Sequence, residues 1–275
     1  MKIKKLIIVC TLLILGLLFV FFEPTKAQST FICSNVTEIS QTECEALVAL
    51  YNSTNGDNWT DNTNWLTTNT PCTTPWKGVE CDTSGHVTKL WLGANGLVGE
   101  IPAELGNLSS LDTLHLYSNQ LSGTIPVSLG NLSNLYGLAL ADNQLTGEIP
   151  SELGNLANLV NLYLNINQLS GAIPSTLGNL TNLSVLQLEG NLLTGQVPSE
   201  LGSLTGLDSL HLKDNPGLSG SLPTSLTNLL VLSEFSFSAT SLCEPSDPDF
   251  QFWLQNISNL TRTNVLCSEP PVFSC

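Results

Sequence analysis

Charge is scarce in this chain. Only 11 % of its 275 residues are Asp, Glu, Lys or Arg, against roughly 25 % in an ordinary soluble domain. Cations are scarcer still: 8 Lys and Arg stand against 23 Asp and Glu, a net charge of −15, and Arg262 is the one arginine. Nucleic acid and anionic membrane surfaces are held by clustered Lys and Arg, so neither is expected as a partner, and phosphate chemistry falls with them. The motifs of common catalysts are missing too: no G-x-S-x-G, no H-E-x-x-H, no Gly-rich phosphate loop and no C-x-x-C. No cofactor or metal is expected, and the chain reads as a non-enzyme. Cysteine is absent from 82 to 242, and no long apolar run follows residue 22.

That first apolar run reads as an export signal. Met1 to Lys5 is basic, Leu6 to Phe22 is apolar, and Thr25-Lys26-Ala27 offers a cleavage site before Gln28. Its 17-residue core is long for a signal, so an uncleaved anchor is the rival reading. It would be the chain's single contact with a membrane. Cleavage leaves 4 basic and 22 acidic residues, a net of −18. Export also puts seven remaining cysteines in an oxidising compartment. An odd number leaves one without a partner inside the chain.

What the chain does have is Leu, 52 residues of it, set out with a period of 24. The stretch from Leu111 to Leu132 returns at Leu135, Leu159, Leu183 and Leu207, and begins less strictly at Val87. The shared frame is L-x-x-L-x-L-x-x-N-x-L-x-G-x-I-P-x-x-L-G-x-L. A broken unit starts at Leu232, with Thr240 where Asn is expected. The L-x-x-L-x-L part predicts a short strand with its Leu inward, stacked in parallel about 4.8 Å from the next. Asn95, Asn119, Asn143, Asn167, Asn191 and Asn215 form a ladder whose amides can satisfy buried backbone groups. Gly123 and Gly147 permit a tight turn, and the Pro of Ile-Pro stands where no donor is needed. No coil covers its own Leu, so both ends need caps.

This frame resembles that of plant-type extracellular leucine-rich repeat proteins, which include receptor-like ectodomains and polygalacturonase-inhibiting proteins. Cys72-x-x-x-Trp76-x-Gly78-Val79-x-Cys81 is similar to the paired-cysteine cap of that family, whereas Gly56-Asp-Asn-Trp59 to Trp65 looks more like a microbial cap. The resemblance implies an α/β-type repeat solenoid: a right-handed superhelix with a parallel, concave β-sheet and helical, disulfide-stapled caps. The expected organisation is a signal at 1–27, an N-terminal cap at 28–86, six repeats at 87–231, and a partial repeat with C-terminal cap at 232–275.

The caps carry their own signals. Thr42-Glu-Cys-Glu45 reads as a capping box, opening a helix with Cys44, Leu47, Val48 and Tyr51 on one face, ended by Asn55-Gly56. Trp59, Trp65 and Trp76 read as lid packing rather than a ligand-stacking cluster. The run Asp57, Asp61, Asn62, Asn64 holds oxygen ligands but lacks the spacing of a Ca²⁺ loop. Asp247-Pro248 opens a second helix with Pro at its first position. Cys72 with Cys81, and Cys243 with Cys267 across that helix, are the expected disulfides. Cys33 with Cys44 follows by elimination and leaves Cys275 odd.

A solenoid without catalytic groups is a display surface. The fifth position of each strand should point outward, giving Trp91, His115, Ala139, Tyr163, Gln187, His211 and Ser236. The seventh adds Tyr117, Asn165, Glu189 and Lys213, and the second adds Tyr136. Aromatics are favoured contact anchors, so Trp91, His115, Tyr117, Tyr136, Tyr163, Gln187, His211 and Lys213 are the candidate ligand-binding residues. His115 and His211 stand four coils apart, about 19 Å, too far to share a metal. Glu104, Glu152 and Glu200 read as a solvated face, and nine N-x-[S/T] sequons follow largely from the Gly-Asn-Leu-Ser/Thr frame. The expected function is a secreted or cell-surface, monomeric module that recognises an extracellular protein or peptide. A carbohydrate-directed role, as a wall-polysaccharide binder or an inhibitor of a polysaccharide-degrading enzyme, is the alternative.

Overall fold

The structure, a computed structural model, describes residues 31–267. The expected export signal at 1–27 and the expected odd cysteine, Cys275, lie outside the described residues. Each 24-residue unit forms one coil of a solenoid, and its strand joins a nine-stranded sheet in coil order. The strands run Val79–Cys81, Val87–Trp91, Thr113–His115, Gly137–Ala139, Asn161–Tyr163, Val185–Gln187, Ser209–His211, Glu234–Ser236 and Asn259–Thr261. All neighbours are parallel except the first two, which pair antiparallel. Two strands therefore lie outside the repeat frame. Val79–Cys81 lays the N-terminal cap against the first coil, and Asn259–Thr261 adds a ninth rank beyond the broken unit.

Behind this sheet the L-x-G segments pair as short parallel strands, and each S-x-L-G-N segment makes a 3₁₀ turn after its Pro. The Pro sits just before the turn, where its missing N–H costs nothing. Gly123 and Gly147 have φ of +74° and +77°, a conformation that a Cβ would strain. The Leu and Ile of every coil meet in one continuous core, with Leu90, Leu114, Leu138, Leu162, Leu186 and Leu210 fully buried.

The Asn ladder lies inside that core, and each amide ties two coils together. Asn191 Nδ2 donates to the carbonyls of Leu188 and, one coil earlier, Leu164, while its Oδ1 accepts from Leu169 N–H. Asn215 repeats this with Leu212, Leu188 and Leu193. The substituted Thr240 keeps part of the role: its hydroxyl donates to Phe237 C=O and accepts from Leu242 N–H.

Helix α1 (Gln41–Ser53) caps the first coil. Its capping box is two residues earlier than the sequence motif suggested: Ser40, not Thr42, is the N-cap, and Glu43, not Glu45, is its partner. Both pairs fit the S/T-x-x-E pattern. Glu43 is the buried one and also accepts from Val87 N–H, so tertiary contact selects the register. Tyr51, Trp59, Trp65 and Trp76 follow as a chain of rings, with centroids 4.9 to 5.2 Å apart along it. The indole N–H groups of all three Trp donate to backbone carbonyls inside the cap. These rings are core, with no face left for a ligand.

At the far end α2 (Pro248–Gln255) starts on Asp247, whose side chain accepts from Phe250 N–H. Phe250 and Leu254 bury against the last coil. Disulfides join Cys33 to Cys44, Cys72 to Cys81 and Cys243 to Cys267. All three lie in the caps. No helix among the described residues is long and apolar enough to cross a membrane.

Candidate binding face

The outward side of the nine-stranded sheet is set by register. Trp91 pairs with His115, His115 with Ala139, and Ala139 with Tyr163. The column continues through Gln187, His211, Ser236 and Thr261. Seven side chains expected in one file from the repeat frame thus stand in one file, and Thr261 makes an eighth. The inward Leu rank fixes this, because a one-residue slip would turn each strand's Leu to solvent.

The face divides at Ala139. Toward the N-terminal cap it is aromatic. The rings of Trp91 and His115 meet edge-on at 4.8 Å, and Tyr117 stands 6.0 Å from His115. Lys89 Nζ lies over the Trp91 ring at 5.9 Å. Trp91 and Tyr117 stay 46 % and 42 % exposed, so the cluster is an open apolar surface with one cation at its rim. Burial among these rings pushes the His115 pKa below the ordinary histidine value. Tyr136 is exposed, but it lies outside the strands, beside the column rather than in it.

Toward the C-terminal cap the face is ionic. His211 Nδ1 is 3.8 Å from Glu189 Oε1, and its Nε2 is 3.4 Å from Glu234 Oε2 and 3.2 Å from Ser209 Oγ. The carboxylate of Glu189 beside it does most to raise the His211 pKa, against the opposing effect of burial; the charge of Glu234 raises it further, and Lys213 lowers it. Beside it lies a depression of ≈ 480 Å³, walled by His211, Lys213, Glu234, Ser236, Asn259 and Thr261. Ser236 Oγ, on its wall, is buried without a hydrogen-bond partner in the protein, as are Glu189 Oε2 and Asn165 Oδ1 on earlier coils.

Of the candidate residues, Trp91, His115 and Tyr117 are in contact with one another. Tyr163, Gln187 and His211 continue the file, and Lys213 lines the depression. Glu234, Ser209, Asn259 and Thr261 belong to the face but were not among the candidates. The first two stand at the third position of the strand frame, which also points outward, so the frame carried that signal. Asn259 and Thr261 lie outside any repeat, and no pattern in the sequence points to them. Among the described residues no group of His, Cys, Asp and Glu could hold a metal ion.

Two repeat patterns described as leucine-rich repeat match this chain, one over residues 157–216 and the other over 110–132 and 134–156. Among solved structures, the PEPR1–AtPEP1 structure is similar with a TM-score of 0.73 and 33 % identity, over 80 % of this chain and 31 % of that one. The Arabidopsis receptor kinase HAESA, solved with the peptide hormone IDA and the co-receptor SERK1, is 36 % identical with a TM-score of 0.62, over 73 % of this chain and 32 % of its own. A chain of the BIR3–SERK2 complex from Arabidopsis thaliana is 34 % identical over 66 % of this chain and 96 % of its own length, with a TM-score of 0.54. The chain spans about a third of the first two.

Proposed function

This chain belongs to the plant-type extracellular leucine-rich repeat family, and we propose that it is a secreted, non-catalytic recognition module that binds a protein or peptide across the sheet face. The observation that carries the reading is the file from Trp91 to Thr261. Eight side chains stand in strict register, aromatic at one end and ionic at the other, on a surface whose inner rank is Leu in every coil but one, where Phe235 takes the place. Such a face spans about seven strand spacings, near 34 Å. That length suits an extended chain whose apolar residues meet Trp91, His115 and Tyr117 while its polar residues reach His211, Glu234 and Lys213. Solved relatives that include a receptor kinase in complex with a peptide hormone support the same reading. Because this chain covers only about a third of that receptor chain, its own ligand is a separate matter.

The test uses the secreted chain immobilised and exposed to the extracellular peptide and protein pool of its source, with a glycan array beside it. The double change Tyr163→Ala with His211→Ala should reduce capture at least about tenfold with the melting temperature unchanged. Undiminished capture would place the ligand on a flank or a cap. Capture on the glycan array alone would favour the carbohydrate reading.

A further inference from the structure

A second surface lies behind the sheet face, along the row of Ile-Pro pairs. Two cavities of ≈ 500 and ≈ 520 Å³ share Thr124, Ile125 and Val127 and so form one groove. It crosses four coils, past Pro102, Pro126, Pro150 and Pro174. Its floor is apolar, for Ile101, Ile125 and Ile149 are buried beneath it. The Pro row of that floor is also silent toward hydrogen bonding. These prolines have no N–H, and the carbonyls of Pro102, Pro126, Pro150 and Pro174 already accept from the Leu three residues on. Val127 is 60 % exposed where the next three coils carry Ser151, Ser175 and Ser199. Packing of the solenoid gives no reason for a valine there.

The walls are acidic at alternate coils. Glu100 lines the groove in the first coil and Glu148 and Glu152 line it in the third; Glu104 holds the first coil's equivalent of Glu152, and Thr124 and Ser128 fill the same places in the second. All four carboxylates are exposed, and no ion pair reaches them among the described residues. Among the described residues the cations are committed elsewhere: Lys77 to Asp61, Lys89 to Glu80, Arg262 to Glu244, and Lys213 to the sheet face. Two coil spacings separate the acidic ranks, about 10 Å along the groove.

We infer that this groove is a docking site for a basic peptide in the polyproline II conformation, with Lys or Arg at every third residue. A polyproline II chain rises about 3.1 Å per residue with three residues per turn, so side chains at i and i+3 share a face about 9.3 Å apart. A β-strand cannot meet the spacing, because its i and i+3 side chains point to opposite faces. The backbone of polyproline II needs no partner for its own hydrogen-bonding groups beyond water, which matches a Pro row that offers none. Apolar contact with the Pro row and Val127 supplies area, and the paired carboxylates supply register. This surface is distinct from the sheet face, and its occupancy does not depend on the ligand proposed there.

The probe is a fluorescein-labelled peptide of four Pro-Pro-Lys units, titrated by anisotropy at low salt against the whole secreted chain. The same composition with its Lys residues clustered at one end is the spacing control. Binding should be at least about tenfold tighter for the regular peptide, and should weaken as salt rises. The triple change Glu100→Gln, Glu148→Gln and Glu152→Gln alters only exposed side chains and should abolish that preference, with the melting curve unchanged. Tyr163→Ala with His211→Ala should leave it intact. No binding of the regular peptide, equal binding of the clustered one, or binding that survives the glutamine changes would each overturn the inference. Loss with Tyr163→Ala and His211→Ala instead would assign the peptide to the sheet face.

Discussion

His115 and His211 occupy the same place in the same column, four coils apart, on strands built from the same Leu frame, yet they are chemically opposite. His115 is wedged between Trp91 and Tyr117, with burial working against its protonation. His211 lies between Glu189 and Glu234, which favour protonation. The frame decides where a side chain stands. Its neighbours at the third, fifth and seventh positions, on its own coil and the next, decide what it does. A solenoid can therefore change the chemistry of one half of its face without touching the core, as long as the Leu rank and the Asn ladder keep the register.

The comparison breaks most severely where the two halves differ in support. The ionic half ends on Asn259–Thr261, a strand held between Cys243 and Cys267, whereas the aromatic half has full coils on its C-terminal side. Replacing both cysteines by Ser should cost about 3 kcal/mol in a urea titration, because the bond closes a loop of 24 residues. Amide exchange should accelerate over 234–261 and stay unchanged over 87–139. Uniform acceleration would mean that the two halves open as one unit.

Next comes the ladder beneath both halves. Asn191→Ala strands Leu169 N–H inside the core and removes one of the two amide donors from each of the carbonyls of Leu164 and Leu188, which keep Asn167 and Asn215. A loss of about 2 kcal/mol is expected, measured as a shift of the urea midpoint. Asn131→Gln, at an exposed sequon on a 3₁₀ turn, should stay within about 0.5 kcal/mol. Equal losses would contradict the assignment of inside and outside.

The sequence made this frame legible because periodicity records burial directly. Each Leu, Asn, Gly and Pro recurs where one physical demand recurs, so the strand column and the identity of its side chains could be read off together. The caps were legible where a local motif had no competitor, as at Asp247-Pro248. They were ambiguous where two motifs overlapped, since Ser40 with Glu43 and Thr42 with Glu45 satisfy the same pattern and only contact with Val87 N–H separates them. Trp59, Trp65 and Trp76 were legible as packing because the first coil had to be covered. The ionic site was half legible. His211 lay on the file and Lys213 at the seventh position beside it, but Glu234 sits in the broken unit and Asn259 and Thr261 in no unit. Glu189 and Glu234, which set the protonation of His211, reach it from the coils before and after, 22 and 23 residues away, and no local pattern encodes that.

The smallest effect is the one that sharpens the comparison furthest. A histidine whose folded pKa is raised binds more protons in the folded than in the unfolded state. The stability it contributes is full below the ordinary histidine pKa of about 6.5 and fades as pH rises through the higher folded value. A histidine whose folded pKa is lowered behaves in the reverse way: its contribution is full above about 6.5 and fades as pH falls through the folded value. His211 and His115 therefore pull the stability curve in opposite directions over the same window. Urea midpoints from pH 5 to 8 should show it. The difference between the parent and His211→Gln should be greatest at the acidic end and shrink toward pH 8, while that between the parent and His115→Gln should grow toward pH 8. Each substitution also alters packing, but packing shifts the whole curve and leaves its slope, so the slope is the readout. Glu189 makes the largest contribution that raises the His211 pKa, so a Glu189→Gln background should flatten the His211 slope and leave the His115 slope as it was. Parallel slopes for the two histidines would mean that position in the column, rather than the neighbours, sets their protonation, and the division of the face at Ala139 would fall.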